Sequence, residues 1–127
     1  MRRNLRQGRG QSLVELALLL PVLLLILVGV VDVGRAFHAY LVVTNSAREA
    51  ARYGAFHADQ LSTVPDVALA EIERGGLDPS RASVTVEPAA SGEPLRVTVT
   101  YQFDLIMGAI LGLESISLQS SMAMVTF

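Results

Sequence analysis

The sequence predicts an α+β protein in which one long N-terminal helix packs on a small antiparallel sheet of about three strands. Three patterns carry this prediction. Residues 16–31 contain no charged side chain, residues 36–54 place small and apolar residues at helical spacing, and residues 82–124 contain three runs of alternating apolar and polar residues. Three strands cannot bury a core by themselves, so we expect the outer half of the helix to cover one face of the sheet.

The apolar run has the length of a membrane span. As a helix, residues 13–31 would extend about 28 Å, close to the roughly 30 Å hydrocarbon core of a bilayer. Pro21 interrupts the run, and we expect it to kink or loosen the helix near residues 17–21. A cleaved secretory signal peptide is less favoured, because the run exceeds the usual apolar length of about 7–15 residues and no clear small-residue cleavage site follows.

The basic residues predict the orientation of this span. All ten are arginines, and four of them precede Gly10, namely Arg2, Arg3, Arg6 and Arg9. Because positive flanking charge stays in the cytoplasm, we expect a cytoplasmic N-terminus and an extracytoplasmic C-terminal domain. Beyond Gly10 the chain carries six arginines and twelve carboxylates, and this acidic balance argues against nucleic-acid binding.

A lone carboxylate, Glu15, stands at the head of the apolar run. An acidic side chain costs roughly 2.5–3.5 kcal/mol at the middle of a bilayer and less near the interface. We therefore expect Glu15 to meet a partner, which cleavage of the chain after Gly10 would create. A plain single-pass anchor with an incidental Glu15 is the simpler alternative.

The helix is expected to continue beyond the membrane to about residue 57. Its buried stripe is predicted at Ala36, Tyr40, Val43, Ala47, Ala50 and Gly54, and its solvent side at Asn45, Arg48, Glu49 and Arg52. We expect the stripe to pack on the chain's own sheet, although a neighbouring helix could use its flank. The predicted organisation is a basic leader over residues 1–10, a long helix over 11–57 and a small extracytoplasmic domain over 58–127.

The segments after the long helix show shorter patterns. A loop at residues 57–60 precedes a predicted second helix over residues 64–74, with Thr63 capping its start. Strands are expected over the following ranges: 82–87 and 95–103, paired as a hairpin, and 116–124. Residues 105–113 are strongly apolar and ambiguous, and they predict either a helical turn or a loop on the bilayer surface.

The sequence contains no set of residues that indicates catalysis. The absence of cysteine excludes disulfides and thiol chemistry, and no nucleophile elbow or phosphate loop is present. His38 and His57 are too far apart to share a metal-ligand spacing, so we expect structural or solvated roles. We predict no enzyme activity, no metal and no cofactor. Asp32 and Arg35 are three residues apart, and we expect a polar pair at the membrane boundary.

Three segments resemble the TadE-like family, the pseudopilins or minor pilins of tight-adherence (Flp-type) pilus systems. They read GQSLVELALLLP from Gly10 to Pro21, VDVGRA from Val31 to Ala36, and NSAREAARYG from Asn45 to Gly54. The resemblance implies a pilin-like fold and cleavage by a prepilin peptidase between Gly10 and Gln11. It also implies that Glu15 is the acidic residue used in processing and assembly. The sequence departs from the family at Leu16, where an aromatic residue is usual.

Cleavage would leave a positive amine on Gln11. In a low-dielectric setting this amine and the carboxylate of Glu15 would attract each other by several kcal/mol before desolvation costs. The partner amine could belong to a neighbouring subunit or to the same chain, and cyclisation of Gln11 would remove it. Removal of the four arginines would also make extraction from the bilayer easier.

Two functions follow as hypotheses. The first is a non-enzymatic subunit in pilus assembly, with the membrane, other pilins, the prepilin peptidase and the assembly machinery as partners. Its expected location is the cytoplasmic membrane and then a surface pilus. The alternative is a permanently anchored single-pass protein whose outer domain is a binding or adhesion module. Its contact surface would be the strand face that carries Thr98, Thr100 and Gln102.

Overall fold

The computed structural model describes residues 5–113 and 115–126. Its helices are α1 (Leu5–Phe56), α2 (Val64–Arg74) and α3 (Ile106–Leu111), and its strands are β1 (Ala82–Glu87), β2 (Pro94–Phe103) and β3 (Ile116–Val125). Short 3-10 turns occupy Ala58–Thr63 and Pro79–Arg81. The predicted α+β class is confirmed, because a long apolar helix packs on a three-stranded antiparallel sheet.

Helix α1 is continuous through Pro21 and has two halves with different surroundings. The apolar side chains of residues 13–27 in the first half are exposed, and the first contact with another element comes at Val28 and Gly29, which are half-buried. The second half buries a stripe of small residues against the sheet and α2. This is the only described helix that is long and apolar enough to cross a membrane.

The sheet has the order β1-β2-β3, and both pairs are antiparallel. Its central strand places Leu95, Val97 and Val99 under the helices, fully buried. The opposite face is polar, and the hydroxyls of Thr98 and Ser121 lie 2.7 Å apart across the β2–β3 pair. The alternation predicted for the central strand is therefore confirmed, because one face meets the core and the other meets solvent.

Two glycines allow the helices to approach the core closely. A Cβ atom on Gly54 would overlap the side chain of Leu95 and lie 3.1 Å from Val64. A Cβ atom on Gly75, which follows α2, would overlap the side chain of Val42 on α1. The packing of α1 on β2 and on α2 therefore depends on residues without side chains at these two points.

Three local expectations need correction. Tyr40 is exposed, and Ala39 takes its place in the buried stripe, because the close approach of α1 to the sheet leaves room for a methyl group but not for a phenol ring. Thr63 makes no side-chain cap, because its backbone is already helical. The expected loop at residues 57–60 is mostly a 3-10 turn that leads directly into α2, with Gln60 outside helical geometry.

The ambiguous segment before the third strand forms a short helix. Helix α3 ends at Gly112, whose φ of 71° is a left-handed conformation that favours glycine. It packs against α1 rather than against the sheet. The position of α3 beside the end of the apolar run determines the geometry of the candidate site.

Candidate functional site at the membrane boundary

The residues predicted for processing lie on the exposed N-terminal part of α1. Gly10, Gln11 and Glu15 are all helical, and Gln11 and Glu15 are one turn apart, roughly 6 Å along the axis. Within residues 5–113 and 115–126, Glu15 has no hydrogen-bond or ion-pair partner. Among the predicted orientation signals, Arg2 and Arg3 lie outside the described residues. The structure thus leaves the carboxylate of Glu15 on an uncovered apolar helix.

Pro21 lies within the uninterrupted run of α1. Because proline has no backbone N–H, the carbonyl of Ala17 lacks its usual helical donor. The side chain of Pro21 is exposed, as are those of the leucines around it. A local loosening of the helix at this position stays a prediction.

Asp32 is the only buried charged residue in the part of the chain that the structure describes. The residue is only 4% exposed, and its two carboxylate oxygens accept hydrogen bonds from the start of α3. The backbone N–H of Ile106 donates to Oδ1 at 2.9 Å, and that of Met107 donates to Oδ2 at 2.7 Å. Arg35, one turn along α1, donates to Oδ1 at 3.1 Å. Asp32 therefore joins the end of the apolar run to a segment 74 residues away in the chain.

The electrostatics of this contact favour the charged carboxylate. Burial by itself raises the pKa of Asp32, but hydrogen bonds from the amides of Met107 and Ile106 and from Arg35 outweigh it, so that the pKa is lowered. The first amides of a helix have no partner within the helix and carry a partial positive charge. Asp32 satisfies two of them, which fixes the start of α3 on α1.

Three further charged residues lie near this contact. We refer to Asp32, Arg35, Arg81 and Asp104 together as the charged collar. The guanidinium of Arg35 lies 5.0 Å from the ring centroid of Phe103. Arg81 and Asp104 form an ion pair at 2.7 Å, and its hydrogen bond holds the pKa of Asp104 below the usual range. The residues of the collar lie beside the start of α3, with Asp104 two residues before Ile106 and Asp32 bonded to its amide.

A second contact between α1 and α3 lies at Gly29, three residues before Asp32. A Cβ atom on Gly29 would stand only 3.3 Å from Cε of Met107, so α3 packs closely on α1 at this glycine. Gly29 belongs to the run of residues 13–31 that predicts the membrane span. Sequence reasoning found Asp32 and Arg35 but missed Ile106 and Met107, because the two backbone donors are distant in sequence and carry no side-chain signature.

The two histidines make local hydrogen bonds. Nε2 of His38 donates to the carbonyl of Gly75 at 3.1 Å. His57 stacks on Tyr53 with a centroid distance of 4.3 Å, and its Nδ1 donates to the carbonyl of the same tyrosine at 3.0 Å. The described residues contain no group of three or more metal-ligating side chains. These contacts give both histidines structural roles at the ends of packed elements.

The architecture is that of a small α+β domain carried on one long apolar helix, which fits a single-pass membrane anchor. Residues 10–52 match the model of a family described as TadE-like protein, which confirms the predicted resemblance over the helix that carries it. Comparisons with curated proteins and with solved structures gave no match. The matched residues all lie within α1, and the match does not extend to the strands.

Proposed function

We propose that this protein is a non-enzymatic pseudopilin or minor pilin that takes part in assembly of a Tad/Flp-type pilus. The observation that carries the proposal is the family match over residues 10–52. That segment begins at Gly10, where a leader would end, and contains both Glu15 and the whole apolar run. Its first part, residues 13–27, is the part of α1 whose large apolar side chains are exposed.

The exposed apolar half of α1 can be accommodated in two environments, the lipid bilayer and the helix bundle of a filament. Its leucines pack against no other element, so lipid is their natural solvent before assembly. Neighbouring pilin helices would replace lipid in a filament. Further out, Val33, Phe37 and Leu41 are also exposed on α1, which extends the surface available to another subunit beyond the span.

Processing after Gly10 is compatible with the local structure. Gly8 and Gly10 both lie in the first turns of α1, and a glycine in a helix interior costs roughly 1 kcal/mol relative to alanine. A Cβ atom on either glycine would meet no neighbouring atom within 4 Å, and the hydrogen bond from the Ser12 hydroxyl to the carbonyl of Gly8 stays within the helix. A prepilin peptidase would therefore need to unwind only a weak, uncovered helix end to reach the bond between Gly10 and Gln11.

The new amine gives Glu15 its role in the proposal. An unpaired carboxylate at the head of a membrane helix is unfavourable, and the amine of Gln11 in a neighbouring subunit would neutralise it and set the stagger between helices. In the proposed topology, the protein lies in the cytoplasmic membrane with its N-terminus inside. The small domain lies outside, and pilus assembly moves it to the cell surface.

The first experiment measures the N-terminal mass of the protein recovered from membranes, with and without a co-expressed prepilin peptidase. The proposal predicts a product that starts at Gln11 only when the peptidase is present, and a Gly10→Leu variant is the matched negative control. An intact Met1 start in both samples would contradict processing and favour the permanently anchored binding module. A start beyond Val31 would indicate a signal peptide and overturn the proposed topology.

A further inference from the structure

We propose that the outer domain makes a second contact with the bilayer, through an apolar foot that consists of Ile106, Ile110, Leu111 and Leu113. The foot comprises α3 and the residue pair that follows it, between β2 and β3. The inferred partner is the acyl-chain region of the outer leaflet next to the membrane span. This inference rests on the proposed anchoring by α1 and adds a lipid-binding surface to it.

The foot is apolar and uncovered. Residues 105–113 contain no charged side chain, and Ile110, Leu111 and Leu113 are each 59% exposed. The other large aliphatic side chains of residues 57–126 are buried or half-buried, except Ile116 and Val125 on β3. Several large aliphatic side chains side by side on a surface mark a contact with a partner or a membrane.

Two contacts set the height of the foot along α1. Asp32, the first charged residue after the apolar run, binds the first amides of α3, and Gly29 lies against the end of the Met107 side chain. At 1.5 Å per residue, positions 29–32 lie within about one helical turn of each other. If the apolar run crosses the bilayer, α3 therefore lies at its outer hydrocarbon boundary.

The transition between charged and apolar residues occurs at the same position along α1 in both parts of the chain. On α1, the last uncharged residue of the run is Val31, and Asp32 and Arg35 follow. On the strand side, the ion pair between Arg81 and Asp104 stands immediately before α3, and the foot follows it. Both parts of the chain thus pass from charged to apolar at one level, as expected at a membrane surface and not at an interface with water.

The distribution of charge favours lipid over a protein partner. Charges on the collar are paired within the chain, so they can border a headgroup region without losing their partners. Interfacial elements of this kind bury their apolar face about 5–10 Å into the boundary between headgroups and acyl chains. A helix held at that height by Asp32 needs no further insertion step to reach this depth.

Single-cysteine labelling of the full chain in liposomes tests the foot, because the natural sequence contains no cysteine. An environment-sensitive dye at Leu111→Cys is compared with one at Ser91→Cys, an exposed position in the turn at the opposite end of the β1–β2 pair. Leu24→Cys, within the span, is the positive control. Phosphatidylcholine vesicles carry nitroxide-labelled acyl chains as the lipid quencher, and iodide serves as the aqueous quencher.

The expected result is at least several-fold stronger lipid quenching at Leu111 than at Ser91, together with several-fold weaker iodide quenching. A label at Ile110→Cys should behave like the one at Leu111. Equal accessibility of Leu111 and Ser91 to iodide, with Leu24 quenched by lipid, would overturn the foot while the anchor stands. Protection of Leu111 from both quenchers would indicate a protein cover and also overturn it. Iodide access at Leu24 would overturn the anchor and the foot together.

Discussion

Gly54 shows how a single residue sets the distance between α1 and the sheet. Its missing side chain leaves the space that Leu95 and Val64 occupy. We predict that Gly54→Ala lowers the free energy of unfolding by about 1–3 kcal/mol, because the added methyl group overpacks a fully buried site. Chemical denaturation of the detergent-solubilised chain measures this change.

Gly34→Ala is the matched control for Gly54. Gly34 also lies inside α1, but a Cβ atom there would meet no neighbouring atom within 4 Å. The substitution should be neutral or stabilising by about 0.5–1 kcal/mol, since alanine favours the helix. Equal losses at the two glycines would show that the effect at Gly54 does not come from its contact with Leu95 and Val64.

Asp32 gives a pH-dependent attachment of α3. Because its pKa is lowered in the folded state, its contribution is fully present above the ordinary aspartate pKa of 3.8 and is lost as the pH falls through the lower folded value. We predict that Asp32→Asn accelerates hydrogen exchange of the Ile106 and Met107 amides at neutral pH. An amide side chain has only one oxygen to offer to two backbone donors.

Hydrogen exchange followed by mass spectrometry checks this prediction over residues 104–113. Asp59→Asn, at an exposed carboxylate in the turn after α1, is the control and should leave that segment unchanged. In the unmodified chain, exchange over the segment should rise on acidification below about pH 4, after correction for the intrinsic rate. Unaltered exchange in Asp32→Asn would show that other contacts hold α3.

At the scale of elements, the contact between α1 and α2 depends on Gly75 and Val42. A methyl group on Gly75 would overlap both γ carbons of Val42, whose branched side chain cannot rotate away freely. We predict that Gly75→Ala destabilises the chain by about 1–3 kcal/mol, as measured by denaturation. Adding Val42→Ala should restore part of the loss, and strict additivity of the two substitutions would contradict a direct contact.

The elements differ in how far the sequence predicts them. Strand β2 is predictable because the alternation of Leu95, Val97 and Val99 with polar residues reflects burial on one face. Tyr40 was placed wrongly, because helical periodicity locates a stripe but not the distance to the surface that it meets. Helix α3 stayed ambiguous, since a short apolar run has no distinctive period and its position depends on Asp32, far away in the sequence.

The residues of the candidate site also differ in how far the sequence predicts them. The roles of Gly10, Glu15 and the arginines are proposed from local signals, namely charge, an apolar run and a family motif, and they stay predictions. Asp32 was predicted as half of an ion pair, and its stronger contacts with the amides of Ile106 and Met107 were missed. Backbone donors become visible only once the fold brings them to a side chain.

For the whole molecule, we predict that Glu15→Gln inserts into the membrane normally but is not incorporated into filaments. The neutral amide removes the attraction for the amine of Gln11 while keeping the size of the side chain. Membrane fractionation and the amount of the protein in sheared pili measure the two steps separately. Incorporation at the normal level would contradict an assembly role for this carboxylate.

Glu73→Gln on α2 is the control for that experiment, because it removes an exposed carboxylate from the outer domain and should leave assembly unchanged. Immunoblots of the membrane fraction establish that both variants accumulate equally. A loss of both variants from pili would point to net charge of the subunit and not to a specific site.

Because α3 is attached to Asp32, the small domain must move together with α1 as one rigid unit. The small domain contacts α1 along the buried side chains from Ala39 to Ala51 and again at Asp32. These two contacts prevent it from rotating about the helix axis. From Asp32 to Phe56 the helix extends roughly 36 Å, and a change of about 10° in its inclination would carry the far end some 6 Å sideways. In the proposed topology, any change in the inclination of the membrane segment would therefore move the far end of the small domain by a larger distance than the part near Asp32.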